Sequence, residues 1–356
     1  MTSTATPTAR SRRAGGGAPL PGYLLRRFGT SVLLLVGVTV VTFVLTTLVP
    51  GDPIAAALGE GAASNPATVE AYRERYGLDR SLPERYVIYL GHLLQGDLGT
   101  SLQTGRPVLE DLAVAVPATV EIALGAIVVS LAVGLTLGTV AAHRAGRLSD
   151  QAVRVFSLLG LSVPTFWLAI TAYHLFFLNL GLVPGSGRLS PALTPPPRIT
   201  GLYTVDFILN GDPVGFIDAV AHLTLPVTVL SLFTIGLLTR FIRTSVLEVL
   251  GTDYIRAARA KGLPRRRVIF AYVLRSASLP ILTMIGIAFG ALLSGTVLVE
   301  AVFAWPGLGT YAYNAAIGLD LPAVMGVGLV VGVIYLGINF VVDLLYGVLD
   351  PRVRLG

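Results

Sequence analysis

Four carboxylates, Glu121, Asp218, Glu300 and Asp343, fall inside or at the edge of long apolar stretches. An ionisable side chain in hydrocarbon is costly, so such acids mark a proton relay, a substrate path or a boundary that water reaches. All four sit near the ends of their stretches, which favours boundary or packing roles. A proton relay through Glu121 or Asp343 is the competing reading. Other reactive groups are sparse. The 356 residues include no cysteine, which removes disulfides, thiolate metal sites and thiol nucleophiles. His92, His143, His174 and His222 share no ligand spacing, and no metal site is expected. No G-x-x-x-x-G-K-[ST] occurs, so the chain is not expected to hydrolyse nucleotides itself. Gly185-Ser186-Gly187 lacks the preceding glycine and the nearby histidine that a serine nucleophile needs. The chain reads as a non-enzyme without a cofactor of its own, and nothing in it points to nucleic acid.

The most informative pattern is a basic segment, 240–278. Thr252 is a candidate N-cap, with Asp253 in the first turn, and Ala257, Ala258 and Ala260 favour a short helix to Lys261. Gly262 suits the left-handed position past the helix end. Leu263 supplies the apolar contact that follows, and Pro264 can open the next helix. The spacing places Tyr254, Ala257, Ala258 and Lys261 on one face, with Arg256 and Arg259 elsewhere. A helix that merely lies on anionic lipid wants bulky apolar residues beside its cations. Alanines and a glycine instead favour close approach to another protein, and a short rigid helix gripped by a soluble partner can act as a lever on the segments attached to it.

Those segments are membrane spans. The chain is 53% hydrophobic and 13% charged, with a mean hydropathy of +0.75, whereas a soluble domain carries about 25% charged residues. That excludes a soluble enzyme and a disordered or fibrous protein. A helix needs roughly 20 apolar residues to cross hydrocarbon, and six stretches qualify: Thr30–Val49, Pro117–Ala142, Val155–Gly181, Phe216–Thr239, Leu279–Val302 and Ala323–Tyr346. The expected fold is an all-α membrane protein with six transmembrane helices. The first stretch is too long for a signal-peptide core and lacks a cleavage pattern, so it reads as a retained anchor. Segments 1–29, 143–154, 240–278 and 347–356 hold 19 of the 26 basic residues and only 4 of the 20 acids. Positive-inside bias therefore puts both termini and the basic segment in the cytoplasm. Gly134/Gly138, Gly286/Gly290 and Gly328/Gly332 have helix-packing spacing, with packing inside one bundle the default use. Trp167 and Trp305 read as interface or packing aromatics. Arg188 and Arg198, in a proline-rich outer loop, are expected to be solvated.

The first outer segment, 50–116, is too long for a plain connector. Asn65-Pro66 and the capping pair Ser81-x-x-Glu84 predict two short amphipathic helices, the second with Val87, Leu90 and Leu94 on one stripe. It reads either as a lid on the outer ends of the spans or as a docking surface.

The run Asp253-Tyr254-Ile255-Arg256-Ala257-Ala258-Arg259-Ala260-Lys261-Gly262-Leu263 resembles the "EAA" loop of binding-protein-dependent ABC importer permeases. More narrowly it is similar to the dipeptide/oligopeptide/nickel branch, where Asp-Tyr opens the motif. Pro50-Gly51-Asp52-Pro53, Gly96-Asp97-Leu98-Gly99-x-Ser101, Pro117-Ala118-Thr119-x-Glu121, Phe303-x-Trp305-Pro306-Gly307-Leu308-Gly309 and Asp350-Pro351-Arg352 match in order and spacing over about residues 20–356. The resemblance implies a type I ABC importer permease architecture with a large first extracytoplasmic loop, residing in the plasma (inner) membrane. Residues 1–22 form a disordered cytoplasmic tail in this scheme, 23–356 the transmembrane domain, 50–116 the outer subdomain and 240–278 the coupling loop. It further implies a second homologous permease, two ATP-binding subunits that hold the ATP and magnesium, and an extracytoplasmic solute-binding protein. Asp253, Tyr254, Ala257, Ala258, Lys261, Gly262 and Leu263 would contact the ATPase through the 252–268 loop, with Arg265–Arg267 as rim charges. Glu121, Glu300 and Asp343 are the candidate pathway or span-end acids. Di- or oligopeptides are the expected cargo; nickel chelates, haem or glutathione on the same scaffold, and a proton-coupled secondary transporter, are the alternatives.

Overall fold

The computed structural model describes residues 20–48, 65–77 and 79–349. Most of the expected tail and the motifs at 50–53 and 350–352 lie outside the described residues.

The described residues form helices and connecting turns. Helix α1 spans Leu20–Leu48. In the outer segment both expected short helices form. In α2, Pro66–Tyr76, the Asn65 side chain accepts from the Ala67 amide at 3.1 Å. In α3, Leu82–Leu94, the Glu84 carboxylate accepts from Ser81 N at 3.0 Å and Ser81 Oγ at 2.9 Å. The long helix α4 runs Val108–His143. The third apolar stretch departs from expectation: it is two helices, α5 (Leu148–Ser162) and α6 (Thr165–Ala172, widening into a π-helical turn at Tyr173–Asn179), bent by 93°. Pro164 is the cause. Proline cannot donate to the preceding turn and drives its neighbour Val163 into extended conformation, ψ 124.

After α7 (Tyr203–Leu209) comes α8, Pro213–Leu250, whose 38 residues extend well past the predicted Thr239 boundary. At about 1.5 Å per residue such a helix overshoots a 30 Å hydrocarbon core, so its basic C-terminal end projects from the membrane. The short α9 (Asp253–Ala260) follows, then α10 (Arg265–Arg267), a π-helical turn (Val268–Val273) and α11 (Leu274–Val302). The chain closes with α12 (Leu308–Ile317) and α13 (Leu321–Leu349). Among the described residues, five helices are long and apolar enough to cross a membrane, or six if the bent α5–α6 pair counts as one span.

Small residues decide how the helices meet. At the α4–α8 crossing a Cβ on Gly138 would sit 2.9 Å from both Ile242 and the Thr239 carbonyl oxygen, while Gly134 lies against Leu238. Ser130 and Ser231 hydrogen-bond across the same seam. Gly286 and Gly290 of α11 face Val342 and Tyr335 of α13, and Gly328 and Gly332 of α13 face Thr42 and Val38 of α1. All three glycine pairs thus lie in crossings within this chain. The backbone oxygen at Gly138 cannot move aside as a side chain can. Gly138→Leu is therefore expected to cost about 1–3 kcal/mol through overpacking, read as a lower unfolding midpoint in detergent, with Gly29→Leu, which no neighbour approaches within 4 Å, as the neutral control.

Candidate functional site

The connecting segments segregate to two ends of the helix assembly. At one end Arg243 grips Asp150 with two bonds, Nε at 2.6 Å and an Nη at 2.9 Å, and the Gly146 amide adds a third at 2.9 Å. This joins segment 143–154 to the basic segment, and it is bidentate and mostly buried, the strong form of an ion pair. At the other end lie contacts among residues 99–121, 188–218 and 300–323.

At the basic end, α9 ends as its sequence requires. Gly262 takes φ +71, its amide donates to Arg259 O at 2.9 Å, and the Leu263 amide reaches Ala258 O at 3.4 Å. This is the paired closure that satisfies the last carbonyls of a helix. Ile255 is fully buried in the core cluster that also holds Val246 and Val268, and Ala258 is 5% exposed. Ala258 was expected on the outward face with Tyr254 and Ala257; in this short helix the i, i+3 stripe Ile255–Ala258 is instead the inner one. Asp253, Tyr254, Ala257, Lys261 and Gly262 remain exposed, while Leu263 is half-buried against the core cluster. Asp253 pairs with Arg256 at 3.1 Å in open solvent, a contact of little energetic weight.

Tyr254 has a role its spacing did not suggest. Its hydroxyl donates to Tyr272 O at 3.0 Å and lies 2.6 Å from Ser276 Oγ. The partners belong to the π-helical turn and the first turn of α11, so the exposed short helix is tied to the start of a span. Arg265–Arg267 are exposed beside it, and a cleft of about 480 Å³ opens between His143, Leu250, Arg259, Leu263 and Arg265. The arrangement presents a rigid knob of small residues ringed by cations, suited to docking rather than to bond chemistry.

The opposite end is held by acids. Glu121 is 5% exposed and Arg188 6%, correcting the expectation that the arginine is solvated and the acid within reach of water. Arg188 donates to Glu121 Oε2 at 2.6 Å and to Gly201 O at 2.9 Å, and its guanidinium lies 3.7 Å from the centroid of the Tyr203 ring. Glu121 Oε1 also accepts from Thr204 N at 2.8 Å and Thr204 Oγ1 at 2.7 Å. Glu300, fully buried, accepts from Thr119 Oγ1 at 2.5 Å and from the Thr310 amide at 2.8 Å. The second donor lies in the first turn of α12, where a carboxylate also meets the favourable end of the helix dipole. Trp305, nearly fully buried, donates its indole N–H to Ala118 O at 2.9 Å, as a packing aromatic; Trp167 is exposed. Asp320 accepts from Ser101 Oγ at 2.6 Å and Leu102 N at 2.9 Å. Asp218 takes Ser190 Oγ at 2.6 Å and Ser190 N at 2.8 Å. Asp343 is half-buried on α13. Glu121 and Glu300 thus take separate sets of donors at the same end of the assembly. The Asp320 and Arg188 attachments were missed because their partners lie 219 and 67 positions away in the chain.

Asp206 adds a pH-sensitive clasp. Burial pushes its carboxyl up, but hydrogen bonds from Thr200, Gly201 and Ile199 hold it below the ordinary range on balance. A depressed folded value means this stabilisation is complete above the unfolded value of about 3.9 and is lost as pH falls through the folded one. Proteolysis of the 197–212 loop should therefore accelerate below about pH 4. Asp206→Asn should remove that acid-specific step while raising the basal cleavage rate.

Residues 134–355 match the family described as binding-protein-dependent transport system inner membrane component, and residues 21–123 match its N-terminal counterpart. The chain belongs to that family: it is a membrane permease component, not itself an enzyme. Among its relatives, the probable D,D-dipeptide transport system permease protein DdpB of Escherichia coli K12 is 44% identical over 325 residues, covering 91% of this chain and 95% of the relative. The di/tripeptide transport system permease protein DppB of Pseudomonas aeruginosa UCBPP-PA14 is 41% identical, covering 93% and 98%. The inward-facing methionine ABC transporter MetNI overlaps at a TM-score of 0.45 and 18% identity, covering 68% of this chain and 94% of that one.

Proposed function

We propose that this chain is one of two permease subunits of an ATP-driven importer for di- or oligopeptides, with six spans (α5–α6 counted as one) and both termini in the cytoplasm. Its coupling element is the 252–268 loop: Tyr254, Ala257, Lys261 and Gly262 meet the ATPase, Asp253 and Arg265–Arg267 line the rim, and Ala258 and Leu263 brace the element from inside. The relatives' names support the peptide substrate, and the charge distribution supports the orientation. The observation that carries the reading is the exposed α9–Gly262 knob tied through Tyr254 to the start of α11. Closure of two ATPases around such knobs displaces α9, and the Tyr254 bonds pass the displacement to α11, switching the bundle between inward- and outward-open states. An extracytoplasmic binding protein delivers cargo at the acid-held end.

The test uses the absence of native cysteines. With Ala257→Cys, crosslinking in membranes that contain the whole transporter should capture an ATPase subunit, and peptide uptake should require ATP. Uptake by this chain alone in vesicles, or a crosslink that never reaches an ATPase, overturns the reading. In the same assay Tyr254→Phe should lower transport several-fold while the crosslink persists, because docking is retained and only the link to α11 is cut; unchanged transport would remove Tyr254 from the path.

A further inference from the structure

The second outer helix, α3, divides into three sectors. Tyr86 and Tyr89 face α1, with ring centroids 5.4 Å and 5.9 Å from Phe43, and the Tyr86 hydroxyl lies 2.8 Å from Thr39 Oγ1. A second sector turns to α2, where Ile88 lies against Gly77. The third, at Pro83, Val87, Leu90 and Leu94, is apolar; Val87 is 66% exposed and Leu94 88% exposed. The sequence left open whether this helix packs on the spans or docks a partner; in the structure Val87 and Leu94 of the stripe stay uncovered. Tyrosines cover α1 instead, and the stripe faces away.

The depth of the α1 contacts says what covers the stripe. The apolar run of α1 is Phe28–Leu48, 21 residues. At about 1.5 Å per residue that is close to the full thickness of a hydrocarbon core, and Arg26 and Arg27 mark its inner limit. The outer boundary therefore cannot lie far inward of Leu48 without leaving the span too short. Measured down the helix from Leu48, Phe43 is about 7 Å and Thr39 about 13 Å inside that boundary. A helix whose tyrosines reach both residues sits at the headgroup–acyl junction or below it, the depth of an interfacial helix. Glu84, hydrogen-bonded to Ser81 and exposed, lies off the apolar stripe.

We infer that α3 is embedded in the outer leaflet, with Pro83, Val87, Leu90 and Leu94 in contact with lipid acyl chains, so that the first outer segment is moored to the bilayer beside α1. The inference rests on α1 spanning the bilayer and is independent of cargo and coupling.

Single-cysteine variants of the full chain, Val87→Cys, Leu94→Cys and Glu84→Cys, reconstituted in phosphatidylcholine vesicles without any binding protein, test it. A membrane-impermeant maleimide should modify Val87→Cys and Leu94→Cys about tenfold more slowly than Glu84→Cys, and detergent denaturation should abolish the difference. Bimane attached at 87 or 94 should be quenched by lipids brominated high on the acyl chain, and bimane at 84 should not. Modification of 87 and 94 as fast as 84 would put the stripe in water; protection without bromolipid quenching would put protein over it. Either result overturns the inference. Because both positions are exposed, these substitutions leave the packed face intact.

Discussion

Glu121→Ala should unfasten the acid-held end, with a stability loss of about 3–5 kcal/mol, because it leaves the buried Arg188 guanidinium without its counter-charge. The pair sits 2.6 Å apart with both side chains 4% exposed, so water cannot replace the lost partner as it would at the surface. Thr204 loses its acceptor in the same stroke. Thermal unfolding in detergent should show the drop, together with faster proteolysis around residues 188–206. The reverse truncation, Arg188→Ala, should be similarly damaging because it strands a carboxylate. The double variant Glu121→Gln/Arg188→Met should recover much of the loss, since a neutral pair of similar volume removes the desolvation penalty along with the attraction. Equal stability of Glu121→Ala and wild type would mean that the pair is hydrated in the membrane and holds nothing.

Gly262→Trp should abolish peptide uptake while the protein remains in the membrane at normal abundance. Two effects must be separated. Any residue other than glycine pays for φ +71, about 1–2 kcal/mol for an L-residue in the left-handed region, and Gly262→Ala measures that cost alone. Nothing lies within 4 Å of a Cβ at this position, so Gly262→Ala does not clash within the chain. Gly262→Ala should therefore retain most transport, whereas the indole, projecting from the exposed knob, blocks a closely fitting partner. Ala257→Trp, on the exposed side of α9 and free of backbone strain, should reproduce the block. Normal uptake in both tryptophan variants would show that no partner closes on this surface.

The contrast between these two sites shows what local sequence encodes. The knob is built from neighbours: Gly262 and Leu263 close α9 as capping chemistry assigns them, Pro264 precedes α10, and Thr252 stands at the N-cap of α9, though its hydroxyl donates to Val249 O instead of capping. The same holds for Asn65 and for Ser81 with Glu84. The facing of α9 was less legible. Eight residues give barely two turns, and a stripe of Ile255 and Ala258 competes with one of Tyr254 and Ala258, so the core decided which became the inner face. In α3, too, tertiary packing decided the facing: Tyr86 and Tyr89 turn to α1 while Val87 and Leu94 of the aliphatic stripe stay exposed.

Composition and hydropathy alone determined that this is a helical membrane protein, because the cost of unpaired backbone and buried charge in lipid acts on every residue regardless of its neighbours in space. The family motifs in the chain determined its kinship. Tertiary structure decided that the third stretch bends at Pro164, that Arg188 leaves solvent for Glu121, that Asp320 fastens the outer loop, and that Tyr254 reaches α11. Each depends on groups far apart in the chain meeting at one place, or on how a break is accommodated by packing, and a one-dimensional pattern carries no record of such distances.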